Sequence, residues 1–108
     1  MCDWSGRKLT AELFASLCET IDCESVKSLK VKDNLLKSIT SESIARFVSL
    51  EIAFFSENQL ASLPPAFQSL DELVELILTE NRFKKVPEFL PLNLVALYVA
   101  DNRIADLP

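Results

Sequence analysis

The chain has 108 residues, of which 49% are apolar and 25% are charged, enough for one globular domain with a modest core. Its net charge of −5 at pH 7 disfavours nucleic acid and anionic membrane surfaces as partners. No apolar run in the sequence approaches the roughly 18 residues of a membrane-spanning helix. We also expect no secretory signal core at the N-terminus.

Residues 1–25 show helical periodicity. The apolar side chains that recur at helical spacing are Leu9, Leu13, Phe14, Leu17, Cys18 and Ile21. This spacing predicts an amphipathic helix that ends near Asp22. We expect the helix to cover the first of the repeats described next, as an N-terminal cap with Trp4 packed beside it. The alternative is a helix that docks on another molecule.

From residue 26 onward, one pattern of apolar residues recurs around an asparagine. The clearest copy, LVELILTENRFKKVP at residues 73–87, fits the pattern LxxLxLxxNxLxxLP. The asparagines stand at positions 34, 58, 81 and 102, at spacings of 24, 23 and 21 residues. The pattern divides the chain into repeats 26–49, 50–72, 73–93 and an incomplete 94–108, and the first of these lacks the final proline.

This pattern resembles the leucine-rich-repeat family, in its intracellular form. The resemblance implies an α/β solenoid with a short parallel sheet on the concave face and a helical or irregular convex side. It also implies a function in protein–protein recognition. The alternating LxL slots independently predict four strands, stacked so that each repeat buries its apolar face against the next. At the end of each strand the asparagine amide offers donors and an acceptor to backbone groups that lose their ladder partners.

The segments between strands are expected on the convex side. Thr40 or Ser41 can cap a short helix in the first repeat, and Pro64-Pro65 suits the start of a helical segment in the second. Pro91 shortens the third segment. The side chains expected to face inward are Ile44, Phe47, Val48, Phe67, Leu70, Phe89 and Leu92.

The chain reaches Pro108 inside the fourth repeat. We therefore expect either a longer array of repeats or self-association through the open end, since an uncovered strand edge invites pairing with another chain. The apolar side chains of this edge are Leu94, Leu97, Val99, Ile104 and Leu107.

The sequence contains little that could support catalysis. Histidine is absent, which removes the usual general base and the commonest metal ligand. Cys18, Cys23 and the distant Cys2 do not match a zinc spacing, and no activating partner for a nucleophile is recognisable. We predict no enzyme activity, metal or cofactor. The odd number of cysteines, with none after the repeats, predicts free thiols and an intracellular, cytoplasmic protein.

The residues between the apolar slots of each strand are predicted to face outward from the sheet. They place an apolar stripe of Phe54, Ile77 and Tyr98 on the concave face, and an acidic residue precedes every asparagine. Such a surface is typical of a site for a protein or peptide with apolar anchors and a basic flank. The alternative is that the acidic residues serve only solubility. The predicted partner-binding residues are Ile52, Phe54, Glu57, Glu75, Ile77, Glu80, Tyr98 and Asp101.

Overall fold

A computed structural model describes residues 2–103. Its strands form one parallel sheet in chain order: β1 (Cys2–Asp3), β2 (Ser28–Lys30), β3 (Ile52–Phe54), β4 (Glu75–Ile77) and β5 (Ala96–Tyr98). The connections contain α1 (Ala11–Cys18), α2 (Ser41–Ile44) and two 3-10 helices, Cys23–Ser25 and Pro65–Ser69. Each connection returns the chain to lay a strand beside the preceding one. The predicted α/β solenoid with a parallel sheet is therefore confirmed.

The strand register aligns the central residues of the predicted repeats. Leu29 pairs with Ala53, Ala53 with Leu76, and Leu76 with Leu97. Leu29, Ala53 and Leu76 are fully buried, while the residues on either side of them are half-buried. This alternation is the one predicted from the LxL slots, so the buried face of the sheet forms the core and the other face is the concave surface.

The sequence predicted four strands, but the described residues contain five. The additional strand, β1, lies in residues 1–25, which form the first coil of the solenoid. Cys2 pairs with Leu29, and the N–H of Trp4 donates to the carbonyl of Lys30 at 2.7 Å. Cys2 and Trp4 thereby occupy the places that Leu29 and Val31 fill in the next coil. Residues 1–25 form a repeat-like coil, although cysteine and tryptophan replace the leucines that mark the pattern.

Helix α1 ends at Cys18, earlier than the predicted end near Asp22, and buries only part of the predicted apolar face. The side chain of Thr10 accepts a hydrogen bond from the N–H of Leu13 at 3.3 Å and so starts the helix. Phe14 and Cys18 are buried, whereas Leu13 is 51% exposed and Ile21 is 36% exposed. The rings of Trp4 and Phe14 meet edge to face at 5.8 Å. The role of this helix as a cap remains a prediction.

The convex segment of the first predicted repeat holds only one helical turn. Thr40 caps α2 by accepting a hydrogen bond from the N–H of Ser43 at 3.3 Å. Ile44 and Phe47 are buried as predicted, whereas Val48 is 54% exposed. Because the helix ends at Ile44, helical periodicity no longer determines which way Val48 faces.

The convex side becomes less helical along the chain. The second predicted repeat uses the 3-10 helix Pro65–Ser69, where Phe67 and Leu70 are buried as expected. In the third, residues 84–95 contain no helix, and Leu92 is 93% exposed, so its predicted inward position is wrong. Pro91 is buried instead, and Leu90 packs against the core.

Aromatic rings join the coils within the core. The ring centroid of Phe55 lies 6.2 Å from that of Phe14 and 6.3 Å from that of Phe67, both edge to face. Phe47 stacks on Phe14 at 6.4 Å. Such pairs add about 0.5–1.5 kcal/mol each beyond the burial of their area. The first three coils are therefore held by one continuous aromatic cluster.

The asparagines bridge neighbouring coils. The Nδ2 of Asn81 donates to the carbonyl of Phe55 in the preceding coil at 2.9 Å and to that of Leu78 in its own at 3.1 Å. Its Oδ1 accepts from the N–H of Leu60 at 2.9 Å. The same arrangement recurs at Asn34, Asn58 and Asn102. The predicted use of both amide donor and acceptor is confirmed.

Replacing Asn81 with Ala is expected to destabilise the protein by about 2–4 kcal/mol, because the buried N–H of Leu60 and carbonyl of Phe55 would lose this partner. The free energy of unfolding, measured by urea denaturation, tests this. Asn93→Ala is the matched control, since the exposed amide of Asn93 donates to the carbonyl of Asp71, and its loss is expected to cost under about 0.5 kcal/mol. Equal losses in the two variants would contradict the bridging role.

Candidate functional site

The register brings three outward-facing apolar side chains together. Phe54 pairs with Ile77, and Ile77 with Tyr98. Because adjacent strands lie about 4.8 Å apart, these three residues span about 10 Å across the sheet. Phe54 and Ile77 are half-buried, and Tyr98 is 49% exposed. We call these three residues the apolar row.

Two further predicted site residues lie beside the apolar row. Ile52 pairs with Glu75, and Glu75 pairs with Ala96, at the first residue of each strand. Ile52 and Glu75 are both half-buried. This line of residues is mixed in character, so it extends the apolar surface only at β3.

On β2, next to the apolar row, the residue in the equivalent position is the cation Lys30. Lys30 pairs with Phe54, and its Nζ lies 5.4 Å from the centroid of the Phe54 ring. This distance is that of a cation–π contact. The sequence pattern placed Lys30 in the same slot as Phe54 but did not reveal this contact, which depends on how the two side chains bend toward each other.

An acidic residue stands where each strand segment turns toward the convex side. Asp33, Glu57, Glu80 and Asp101 are all exposed, and all have φ between 56° and 57°. We call these four residues the acidic column. This left-handed conformation costs L-residues roughly 1–2 kcal/mol, with Asp more tolerant of it than most. The turn explains why the backbone conformation repeats, but it does not require a negative charge.

The members of the acidic column are close enough to influence one another. A hydrogen bond with Glu57, and then the negative charge of Glu57, raise the pKa of the Glu80 carboxyl above its ordinary value. Asp101 contributes in the same direction, whereas Lys32 opposes it. The column therefore concentrates negative charge, which a positively charged group bound beside it would relieve.

Small side chains separate the apolar row from the acidic column. Ser56, Thr79 and Ala100 follow the members of the apolar row by two residues and precede the acidic residues by one. We call them the small row. Lys32 holds the equivalent position after β2. The apolar row, the small row and the acidic column thus run side by side across the strands, and we call these three lines together the concave band.

The described residues hold no evident reaction centre. Among residues 2–103, no group of three His, Cys, Asp or Glu side chains is placed to hold a metal ion. Cys2, Cys18 and Cys23 are free thiols. Burial, followed by the influence of Cys23, raises the pKa of Cys18 to about 12, and the Sγ of Cys23 donates to the carbonyl of Cys18 at 3.1 Å. Raised pKa values leave little thiolate for nucleophilic attack at neutral pH. Within the same residues, no helix is long and apolar enough to cross a membrane.

Comparison with known proteins agrees with this architecture. The family model described as leucine rich repeat matches residues 24–83. The chain belongs to the leucine-rich-repeat family. Proteins of this family generally mediate protein–protein interaction. The match begins after α1, so it covers β2, β3 and β4 but not the first coil.

Several relatives share these repeats. Lumican of Gallus gallus is 29% identical over 99 residues, covering 90% of this chain and 27% of lumican. Podocan of Mus musculus is 33% identical over 88 residues, covering 79% of this chain and 14% of podocan. A probable serine/threonine-protein kinase of Dictyostelium discoideum, roco8, is 37% identical over 84 residues, covering 66% of this chain and 4% of the kinase.

A solved structure of a leucine-rich-repeat protein from Leptospira interrogans is also similar. It has a TM-score of 0.69 and 32% identity, and the match covers 79% of this chain and 22% of that one. This chain therefore spans about a quarter or less of the length of these relatives. What it shares with them is a run of repeats.

Replacing Glu57 with Gln is expected to lower the pKa of Glu80 toward its ordinary value of 4.5, because it removes the carboxylate whose hydrogen bond and negative charge raise that pKa. A raised pKa means that the folded state binds more protons than the unfolded state. Stability is therefore expected to fall as the pH rises from 4.5 through the raised pKa, and to fall less in the variant.

Side-chain carbon NMR of Glu80 across a pH titration measures the shift directly. Glu75→Gln is the control, since Glu75 lies in a different line of the sheet and is not among the groups that shift Glu80. An unchanged Glu80 titration in Glu57→Gln would show that the two carboxyl groups do not interact.

Proposed function

We propose that the concave face of this chain binds a protein or peptide partner and that the chain is not an enzyme. The apolar row carries this proposal. The core-facing side chains of the same strands lie on the opposite face, so Phe54, Ile77 and Tyr98 direct apolar surface outward. Exposed aromatic side chains clustered on a concave surface are typical anchors of protein interfaces, with tyrosine among the most favoured.

The acidic column supplies the second part of the proposal, a partner with a basic flank. Glu57, Glu80 and Asp101 run beside the apolar row, and the whole chain carries a net charge of −5. Charge complementarity of this kind speeds encounter and orients a partner more than it adds affinity. We therefore assign affinity to the apolar row and orientation to the acidic column.

The predicted intracellular, cytoplasmic location stays part of the proposal. Its support is the set of free thiols in the first coil, Cys2, Cys18 and Cys23. Free thiols persist in reducing compartments, whereas oxidising ones favour disulfides.

Replacing Phe54 and Tyr98 together with Ala is expected to weaken binding at least roughly 30-fold, the effect of losing about 2 kcal/mol of anchor contact. Affinity capture with the wild-type chain, followed by quantitative mass spectrometry, identifies candidate partners, and the dissociation constant is then measured for each. Partners captured through the concave face are lost from the double variant, while its circular dichroism is unchanged.

Leu13→Ala with Val48→Ala is the matched control. These side chains are 51% and 54% exposed, close to Tyr98 at 49%, but they lie on the convex side. The control is expected to retain every partner. If the concave double variant binds all captured proteins as tightly as the control does, the proposed site is wrong.

Self-association through β5 is a second candidate function. Within residues 2–103, β5 pairs only with β4, and an unpaired strand edge can pair with another chain. Leu97 is only partly buried, whereas its counterpart Leu76 is fully buried. Leu94 and Val99 are also partly buried. Ile104 and Leu107, the other predicted members of this edge, lie outside the described residues.

Light scattering over a dilution series tests this second candidate. A dimer that persists on dilution, is lost in a folded Leu97→Lys variant and is retained in Leu13→Lys would support association through β5. A monomer at every concentration would exclude the dimer and leave the concave face as the functional surface.

A further inference from the structure

We propose that the occupant of the concave face is a basic amphipathic α-helix that lies across the strands, with its C-terminal end over β2. Its apolar stripe contacts the apolar row and its basic stripe contacts the acidic column. This inference rests on the proposed function, because it names the kind of partner that the same surface would bind.

The spacing of the apolar row favours a helix over an extended segment. Its three members repeat at the strand separation, about 4.8 Å, so the first and third lie about 10 Å apart. Helix residues i and i+7 are separated by about 10.5 Å along the axis, with an i+3 or i+4 residue between them. In an extended chain, side chains on one side repeat about every 6.6–6.8 Å. The third such side chain would therefore lie about 4 Å beyond the third member of the apolar row.

The width of the concave band also fits one helix. Glu57 follows Phe54 by three residues, which is about 10 Å of extended chain. A helix with its side chains is about 10–12 Å across, so a single helix can reach from the apolar row to the acidic column. The small row of Ser56, Thr79 and Ala100 lies between them.

Charge complementarity defines the polar stripe of the helix. The acidic column runs parallel to the apolar row, because both follow the strand order of the sheet. The apolar residues of the partner helix stand at positions i, i+3 or i+4, and i+7. Lys or Arg residues one position away from each of these would therefore lie along the acidic column. The hydrogen bond with Glu57 and then its negative charge raise the pKa of Glu80, and such cations would offset that charge.

The two ends of the concave band differ in charge. Lys30 and Lys32 lie with Asp33 at the β2 end, which is net positive, whereas Glu80 and Asp101 lie toward β5. A helix carries about half a negative charge at its C-terminus and half a positive charge at its N-terminus. The favourable orientation therefore places the C-terminal end over the two lysines and the N-terminal end near Asp101.

Two displayed peptide libraries that fix the same apolar and Lys residues at different spacings test the inference with the folded chain as the bait. One fixes apolar and Lys residues at helical spacing in an alanine-rich 18-residue scaffold of about five turns. The other fixes the same residues at alternating positions, with prolines that prevent helix formation. We expect enrichment from the helical library on wild type and on Leu13→Ala. We expect at least a roughly tenfold loss on the variant carrying both Phe54→Ala and Tyr98→Ala.

The outcomes distinguish the proposal of a helical partner from the proposal that the concave face is a binding site. Enrichment from the extended library alone, lost in the double variant, would overturn the helix while leaving the concave site in place. No enrichment from either library, or enrichment unaffected by the double variant, would also overturn it. The concave site itself is judged separately, by whether captured partners depend on Phe54 and Tyr98.

Orientation is measured with a nitroxide label on the best helical peptide. A label at its C-terminal end is expected to broaden the amide signals of Lys30 and Lys32 more than that of Asp101, and a label at its N-terminal end to do the reverse. The opposite pattern would overturn the proposed direction.

Discussion

The structure depends on the asparagine side chain that ends each repeated strand segment and bonds to the coil before it. The Oδ1 of Asn34 accepts from the N–H groups of Arg7 and Leu9, and its Nδ2 donates to the carbonyl of Trp4. A coil is thus completed by its successor, so its stability depends mainly on nearest neighbours. Because these bonds recur at one position in every repeat, they help to fix the strand register. The register in turn aligns Phe54 with Ile77 and Tyr98. The concave surface is a consequence of the same bonds that hold the coils together.

The turn that brings each asparagine inward imposes a left-handed backbone on the residue before it. Gly6 holds this position in the first coil with a φ of 68°, without the steric penalty that a side chain brings. In the later coils the position is acidic. Aspartate is relatively tolerant of this conformation, but Glu57 and Glu80 gain no such advantage, and they also repel each other. Their negative charge therefore opposes local stability, which is the physical reason to look for its role in solubility or in a basic partner.

The sequence predicted β2 to β5 and the lines of residues across the concave face, because alternation within a strand and a fixed position before each asparagine determine both. It did not predict β1. Cys2 and Trp4 fill leucine positions there, and Arg7 stands where an asparagine would be expected. The positions of Val48 and Leu92 were also wrong, since helical periodicity was assumed for segments that fold into a single turn or no helix. The contact between Lys30 and Phe54 depends on side-chain rotamers, which the repeat pattern does not encode.

The apolar row is not uniform along its length, and this difference bears on where a partner would anchor. At β3, Lys30 lies against the ring of Phe54, so a cation of this chain already occupies part of that aromatic surface. At β5, Tyr98 is 49% exposed, and Glu80 and Asp101 belong to the acidic column. A basic partner would compete with Lys30 at Phe54 but would meet opposite charge near Tyr98. The strongest contacts are therefore expected toward β4 and β5, with Lys30 and Lys32 keeping the basic side chains of the partner between β3 and β5.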